Sequence, residues 1–108
     1  MRKLFLLLIP SLCMSQTTIT NDLFFDGMER EYIVYIPESY DGQKEFPLMF
    51  NFHGGAGYAN DFIYMNDMRP IADTANFIAV YPQGAINTIE DGGSGTTSWI
   101  HNAPTNHD

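Results

Sequence analysis

Apolar positions along this chain fall into short blocks, and the spacing within each block predicts a different element. Thr18 to Phe25 and Glu29 to Ile36 are β-prone runs that flank Asp26-Gly27. Asp-Gly between two such runs is a strong hairpin signal, because glycine and aspartate accept the backbone of a tight turn. In the second run Tyr32, Val34 and Ile36 alternate with Glu31, Ile33 and Tyr35. Both sets carry apolar groups, which predicts a strand covered on both sides. Pro37 ends it by removing a donor. Pro47 to Phe52 is an unbroken apolar run apart from Asn51. Absence of alternation predicts a strand buried on both faces, as in a parallel sheet. Asn51 is expected to pack near the following loop with its amide satisfied.

After His53-Gly54-Gly55 the period changes. Phe62, Ile63, Met65, Met68, Ile71, Ala72 and Ala75 recur at near-helical spacing between Asn60 and Ala75. Pro70 interrupts that span. The pattern predicts two short helices, with Asn66 capping the second and Pro70 in its first turn. Phe77 to Tyr81 is another short buried strand, closed by Pro82-Gln83-Gly84. Strand, glycine turn, helix and strand in succession have the size of a βαβ unit and predict an α/β fold in one domain. Residues 85–98 are rich in Gly, Ser, Thr and Asn and read as a surface loop, followed by the apolar pair Trp99-Ile100. No internal repeat is visible.

The first 15 residues stand apart. Arg2 and Lys3 precede an apolar stretch from Leu4 to Ile9 that is too short to span a bilayer, and Cys13-Met14-Ser15 is a small-x-small exit. The expectation is a secretory signal peptide over 1–15, with 16–108 as the folded part and an extracellular or periplasmic destination. A buried N-terminal element would leave the basic start without a reason. Lipidation at Cys13 would want a small residue where Leu12 stands. With the signal removed, the single cysteine goes too, so no thiol nucleophile or disulfide is expected.

Charge narrows the partners. The chain carries 13 acidic and 5 basic residues. Loss of Arg2 and Lys3 leaves three basic residues against 13 acidic ones, a net charge of −10. Phosphate backbones are held by clustered Lys and Arg, so nucleic acid is an unsuitable partner.

Candidate chemistry centres on His53-Gly54-Gly55-Ala56. A strand that stops at glycines exposes backbone N–H groups past the sheet edge, where they can hold a developing negative charge. A plain tight turn explains the same residues equally well from spacing alone. Gly93-Ser94-Gly95 fails the Gly-x-Ser-x-Gly spacing of a nucleophile elbow. His101, His107 and Asp108 match no common metal-ligand spacing, so no metal site is expected. Asp73, on the second predicted helix, reads as a solvent-facing residue.

The ordered set Arg30-x-Tyr32-x-Val34-Tyr35-x-Pro37, Pro47-Leu48, Phe52-His53-Gly54-Gly55, Ala72-Asp73, Phe77-Ile78-x-Val80-Tyr81-Pro82-Gln83-Gly84 and Trp99 resembles the N-terminal half of secreted polyhydroxybutyrate depolymerase-like esterases. That group includes feruloyl and acetylxylan esterases. The resemblance implies the N-terminal half of an α/β-hydrolase sheet and a Ser-His-Asp triad that hydrolyses carboxylic esters, without a cofactor. It implies an ester substrate such as a polyester or a plant polysaccharide ester, with nucleophile, acid and base in residues beyond this sequence. It assigns half of an oxyanion hole to the N–H of Gly55, with Ala56 second, and makes His53 and Gly54 support for that loop rather than a base. Trp99 then lines an acyl pocket or packs over the sheet edge, and Tyr58 walls the pocket. A different class, a secreted non-catalytic carbohydrate- or surface-binding module, would show strands at short regular spacing and no helix over 60–75.

Overall fold

The computed structural model describes residues 15–25, 27–86 and 95–99. Gly27 takes φ 73°, the left-handed value that the hairpin turn needs. It joins β1 (Thr17–Phe25) to β2 (Met28–Ile36), antiparallel from Phe25↔Met28 to Thr17↔Ile36. β3 (Leu48–Phe50) leads through the glycine segment to α1 (Ala59–Met65), α2 (Arg69–Ala75) and β4 (Ile78–Pro82). β4 lies between β2 and β3, antiparallel to the first and parallel to the second, which gives the sheet order β1-β2-β4-β3. A two-stranded ribbon, β5 (Ala85–Ile86) and β6 (Thr97–Ser98), sits in the span expected as loop. Helices between β3 and β4 are the opposite of what the binding-module reading requires.

The helical span does divide in two. Asn66, expected to cap the second helix, instead ends the first, and its N–H bonds Phe62 O. Met68 occupies the N-cap of α2, with Pro70 in the first turn, where its missing N–H costs nothing. Asn76 closes α2 in the left-handed region at φ 58°, a conformation that asparagine tolerates.

The register sorts the side chains. Ile33 and Tyr35 of β2 and Ala79 and Tyr81 of β4 share a face with the helices and form the core with Ala59, Ile63, Ala72 and Phe77. Tyr81 is fully buried, yet its hydroxyl is satisfied. It accepts the Met68 N–H at 2.9 Å and donates to Asn66 O at 2.8 Å, tying the α1–α2 junction to the sheet. Tyr81→Phe keeps the volume and leaves both groups unpaired, at an expected cost of about 1–3 kcal/mol. Pulse proteolysis in urea at submicromolar concentration measures it.

Tyr35 donates to Asp73 Oδ1 at 2.6 Å, so Asp73 serves the fold rather than solvent. Burial, with the Asp73 hydrogen bond and charge behind it, raises the Tyr35 pKa from 10.0 to about 12. Burial also raises that of Tyr81. A raised folded-state value favours the neutral phenol. The stabilisation is therefore complete below pH 10.0 and is lost as pH rises toward about 12. Alkaline unfolding should begin in that window and move to lower pH in Tyr35→Phe only if the Asp73 bond is a net stabiliser. Circular dichroism against pH reads both.

The opposite face of the sheet is open. Leu48 and Phe50 are 56% and 53% exposed, and with Val34, Ile78 and Val80 they line a shallow apolar groove of about 510 Å³. The strand expected to be buried on both sides is thus a three-residue exposed edge strand. The reason is positional: alternation fails when both faces are apolar, but within the described residues only one face has helices to meet. Arg30 lies on this open side, two residues before Tyr32 on β2, with its Nε and Nη2 out of water and without an acceptor among the described residues.

Candidate oxyanion loop

The parallel pairing of β3 and β4 brings their C-terminal ends to one sheet edge, and the candidate site is built there. The Asn51 N–H bonds Val80 O at 2.8 Å, which extends the ladder one step past β3. The Asn51 side chain is buried and donates to Met49 O at 3.2 Å, so its amide is satisfied next to the loop as expected.

His53 follows, and it is only 3% exposed. The Gly84 N–H donates to its Nε2 at 2.9 Å. A backbone amide can only donate, so Nε2 is the bare nitrogen and the proton sits on Nδ1, which donates to Gly54 O at 2.7 Å. Both ring nitrogens are committed. His53 has no lone pair for a substrate proton and acts as a structural peg of the loop.

Gln83, the residue before Gly84, completes the frame. The Ala59 N–H at the start of α1 donates to Gln83 Oε1 at 2.8 Å. The carboxamide nitrogen then faces His53 Nε2 at 3.1 Å and Gly84 O at 3.2 Å. On the other flank the Ala56 N–H donates to Thr97 O at 2.6 Å. Trp99 donates its Nε1 proton to His53 O at 2.7 Å, and its ring packs against those of His53 and Phe52 at 4.9 and 5.0 Å.

These bonds sort the expected donors. The Ala56 N–H is already taken by Thr97, so Ala56 is not an open donor in this structure. The Gly55 N–H has no partner among the described residues. Gly55 lies on a groove of about 450 Å³ together with His53, Gly54, Tyr58, Phe62 and Met65. Tyr58 is 55% exposed on that groove, so it is placed to wall it. Trp99 instead borders the apolar groove of the open sheet face, with its indole fixed onto the loop's base.

Neither Gly54 nor Gly55 has a positive φ; that burden falls on Ala56, at φ 59°. A Cβ on Gly54 or Gly55 would meet nothing within 4 Å. By contrast, a Cβ on Gly57 would lie 2.9 Å from Gly54 O, and one on Gly84 would lie 2.9 Å from Ser98 O and 3.2 Å from His53 Cε1. The loop's own packing needs glycine at 57 and 84, not at 54 and 55.

Sequence reasoning missed Gln83, Gly84, Gly57 and Thr97 as loop residues. One signal was available: a polar side chain between proline and glycine directly after a strand that runs parallel to the one ending in His-Gly-Gly. Ser94, His101, His107, Asp108 and Cys13 lie outside the described residues. Among the described residues no cluster of His, Cys, Asp and Glu has metal-binding geometry, and no helix is long and apolar enough to cross a membrane.

No family model matches the chain. Over 59 residues, 54% of this chain and 21% of the other, it is 41% identical to a probable feruloyl esterase C of Aspergillus terreus (strain NIH 2624 / FGSC A1156). A solved structure of a ferulic acid esterase superposes with a TM-score of 0.51 at 21% identity, covering 64% of this chain and 30% of that one. The chain thus spans about a fifth of the length of the curated relative it matches. The second likeness speaks for the fold alone. The chain is similar in local sequence to a probable feruloyl esterase and in fold to a ferulic acid esterase.

Proposed function

We propose that this chain is the oxyanion-loop portion of a secreted serine esterase with an α/β-hydrolase sheet, acting on carboxylic esters of the feruloyl, acetyl-polysaccharide or polyhydroxyalkanoate kind. One observation carries the reading: a backbone amide, that of Gly55, with no partner among the described residues, on the wall of a groove, in a loop held by hydrogen bonds at His53, Ala56 and Gly57. Acyl transfer passes through a tetrahedral oxyanion, and amides held in place before the reaction stabilise it without reorganising. The free faces of Gly54 and Gly55 let a substrate carbonyl approach. Residues 1–15 act as the signal peptide. The second amide, the serine, the general base and its acid lie in a longer polypeptide, because residues 1–108 contain no Gly-x-Ser-x-Gly. His53, with both nitrogens committed, does not serve as that base.

Residues 16–108 alone should not turn over p-nitrophenyl acetate or butyrate above the no-protein rate. Turnover that disappears in Ser94→Ala would overturn the reading. A polypeptide that extends past residue 108 and contains a Gly-x-Ser-x-Gly should hydrolyse p-nitrophenyl acetate. There Gly55→Pro, which deletes the one amide, should lower kcat by roughly 10²–10³-fold.

A further inference from the structure

We propose that Gln83 is the positioning residue of the oxyanion loop: its carboxamide fixes the His53 tautomer and pins both ends of the loop, so that the Gly55 amide stays presented to the groove. The proposal deepens the esterase reading and rests on it for its catalytic consequence.

The argument is one of directionality. The Ala59 N–H can only donate, so the atom it meets at 2.8 Å is the Gln83 oxygen. That places the Gln83 NH₂ group toward His53 Nε2 at 3.1 Å and the Gly84 carbonyl at 3.2 Å. Nε2 already accepts from the Gly84 N–H. A second donor beside it excludes a proton from that nitrogen and holds the ring as the Nδ1–H form. Nδ1–H in turn grips Gly54 O, which also receives the Gly57 N–H at 3.0 Å. The loop therefore enters through His53, leaves through Ala59 and is fastened at both points by one side chain just past the end of β4. Gly54 and Gly55 lie between those fastenings. A Cβ on either would meet nothing within 4 Å, so these fastenings, together with the Ala56 N–H bond to Thr97 O at 2.6 Å, define where the Gly55 amide stands.

The sequence permits a sharp test, because Gln83→Glu keeps shape and the oxygen that caps Ala59. It replaces the donor facing His53 with an acceptor. A carboxylate beside a bare Nε2 draws a proton onto that nitrogen, and the Gly84 N–H loses its acceptor. Asparagine at position 83 is one methylene too short to reach both His53 and Ala59.

The experiment is ¹⁵N NMR of the uniformly labelled full chain, in wild type, Gln83→Glu and Gln83→Leu. The wild type should show a protonated Nδ1 and a bare Nε2 for His53. Gln83→Glu should protonate Nε2 and shift the Gly84 amide, while the core tyrosines keep their signals. Gln83→Leu should speed amide exchange at Gly57 and Ala59. A wild-type Nε2–H tautomer, or His53 signals unmoved in Gln83→Glu, would overturn the proposal. The catalytic arm uses the longer polypeptide: Gln83→Glu should lower kcat by at least roughly tenfold, with KM within about twofold, as expected when only transition-state stabilisation is lost. Unchanged kcat with a changed tautomer would also overturn it. Complete absence of esterase activity in wild type would sink the esterase reading instead, and the NMR arm would still decide what Gln83 holds.

Discussion

Residues 16–108 should self-associate when concentrated, and Leu48→Lys with Phe50→Lys should return them to monomers. The cause is the open side of the sheet. Leu48, Phe50 and Phe52 are more than half exposed, and they adjoin Val80 and Ile78 across a parallel pair. Phe50 and Phe52 stack at 6.3 Å, so the patch is contiguous rather than scattered. β3 is also a sheet edge, with a row of backbone groups open to another strand. At about 25 cal/mol per Å² of apolar area removed from water, burying one or two such side chains per copy is worth several kcal/mol, enough to drive association without any designed interface. β1, on the other edge, adds Phe24 and Phe25, 76% and 63% exposed. The lysines belong on β3 because Leu48 and Phe50 project away from the helices, so the packed core of Tyr35, Ala79 and Tyr81 is untouched. Size-exclusion chromatography with light scattering checks it. A monodisperse, cooperatively melting monomer of residues 16–108 at about 100 μM would refute the expectation.

The same open face explains where the sequence was readable and where it was not. Local signals carried the elements: Asp-Gly placed the hairpin at Gly27, the change of period at Asn60 placed the helices, and Pro70 divided them. Those signals act within a few residues, and the chain obeys them. Burial is not local. An unbroken apolar run means that both sides of a strand can be buried, not that both partners are present, and β3 shows the difference. The candidate site divides in the same way. His53, Gly54 and Gly55 announce a loop by composition. Which amide is open depends on Thr97, 41 positions beyond Ala56, and on Gln83, 30 beyond His53. No spacing rule links such positions. The parallel β3–β4 pair brings Gln83 to His53, because it sets two strand ends side by side, and Thr97 arrives on the separate β5–β6 ribbon.

The glycines of the loop should divide by sign when each is replaced with alanine. Gly84→Ala and Gly57→Ala are expected to destabilise, by about 1–3 kcal/mol each, since the added methyl meets backbone oxygens that cannot swing aside. For Gly84 the obstacle is Ser98 O at 2.9 Å, with the His53 ring behind it at 3.2 Å. Relief would require β6 to move or His53 to leave its peg, and either releases the Gly84–His53 bond. Gly54→Ala and Gly55→Ala meet open space at backbone angles that alanine accepts. They should be neutral or stabilise by about 0.4–1 kcal/mol, because alanine has less freedom to lose on folding. Pulse proteolysis of the four variants in urea gives the signs directly. Equal destabilisation by all four would mean that glycine at 54 and 55 serves the loop's own fold. Opposite signs would mean that glycine there is kept for something that approaches from outside, which is what an ester carbonyl seeking the Gly55 amide would require.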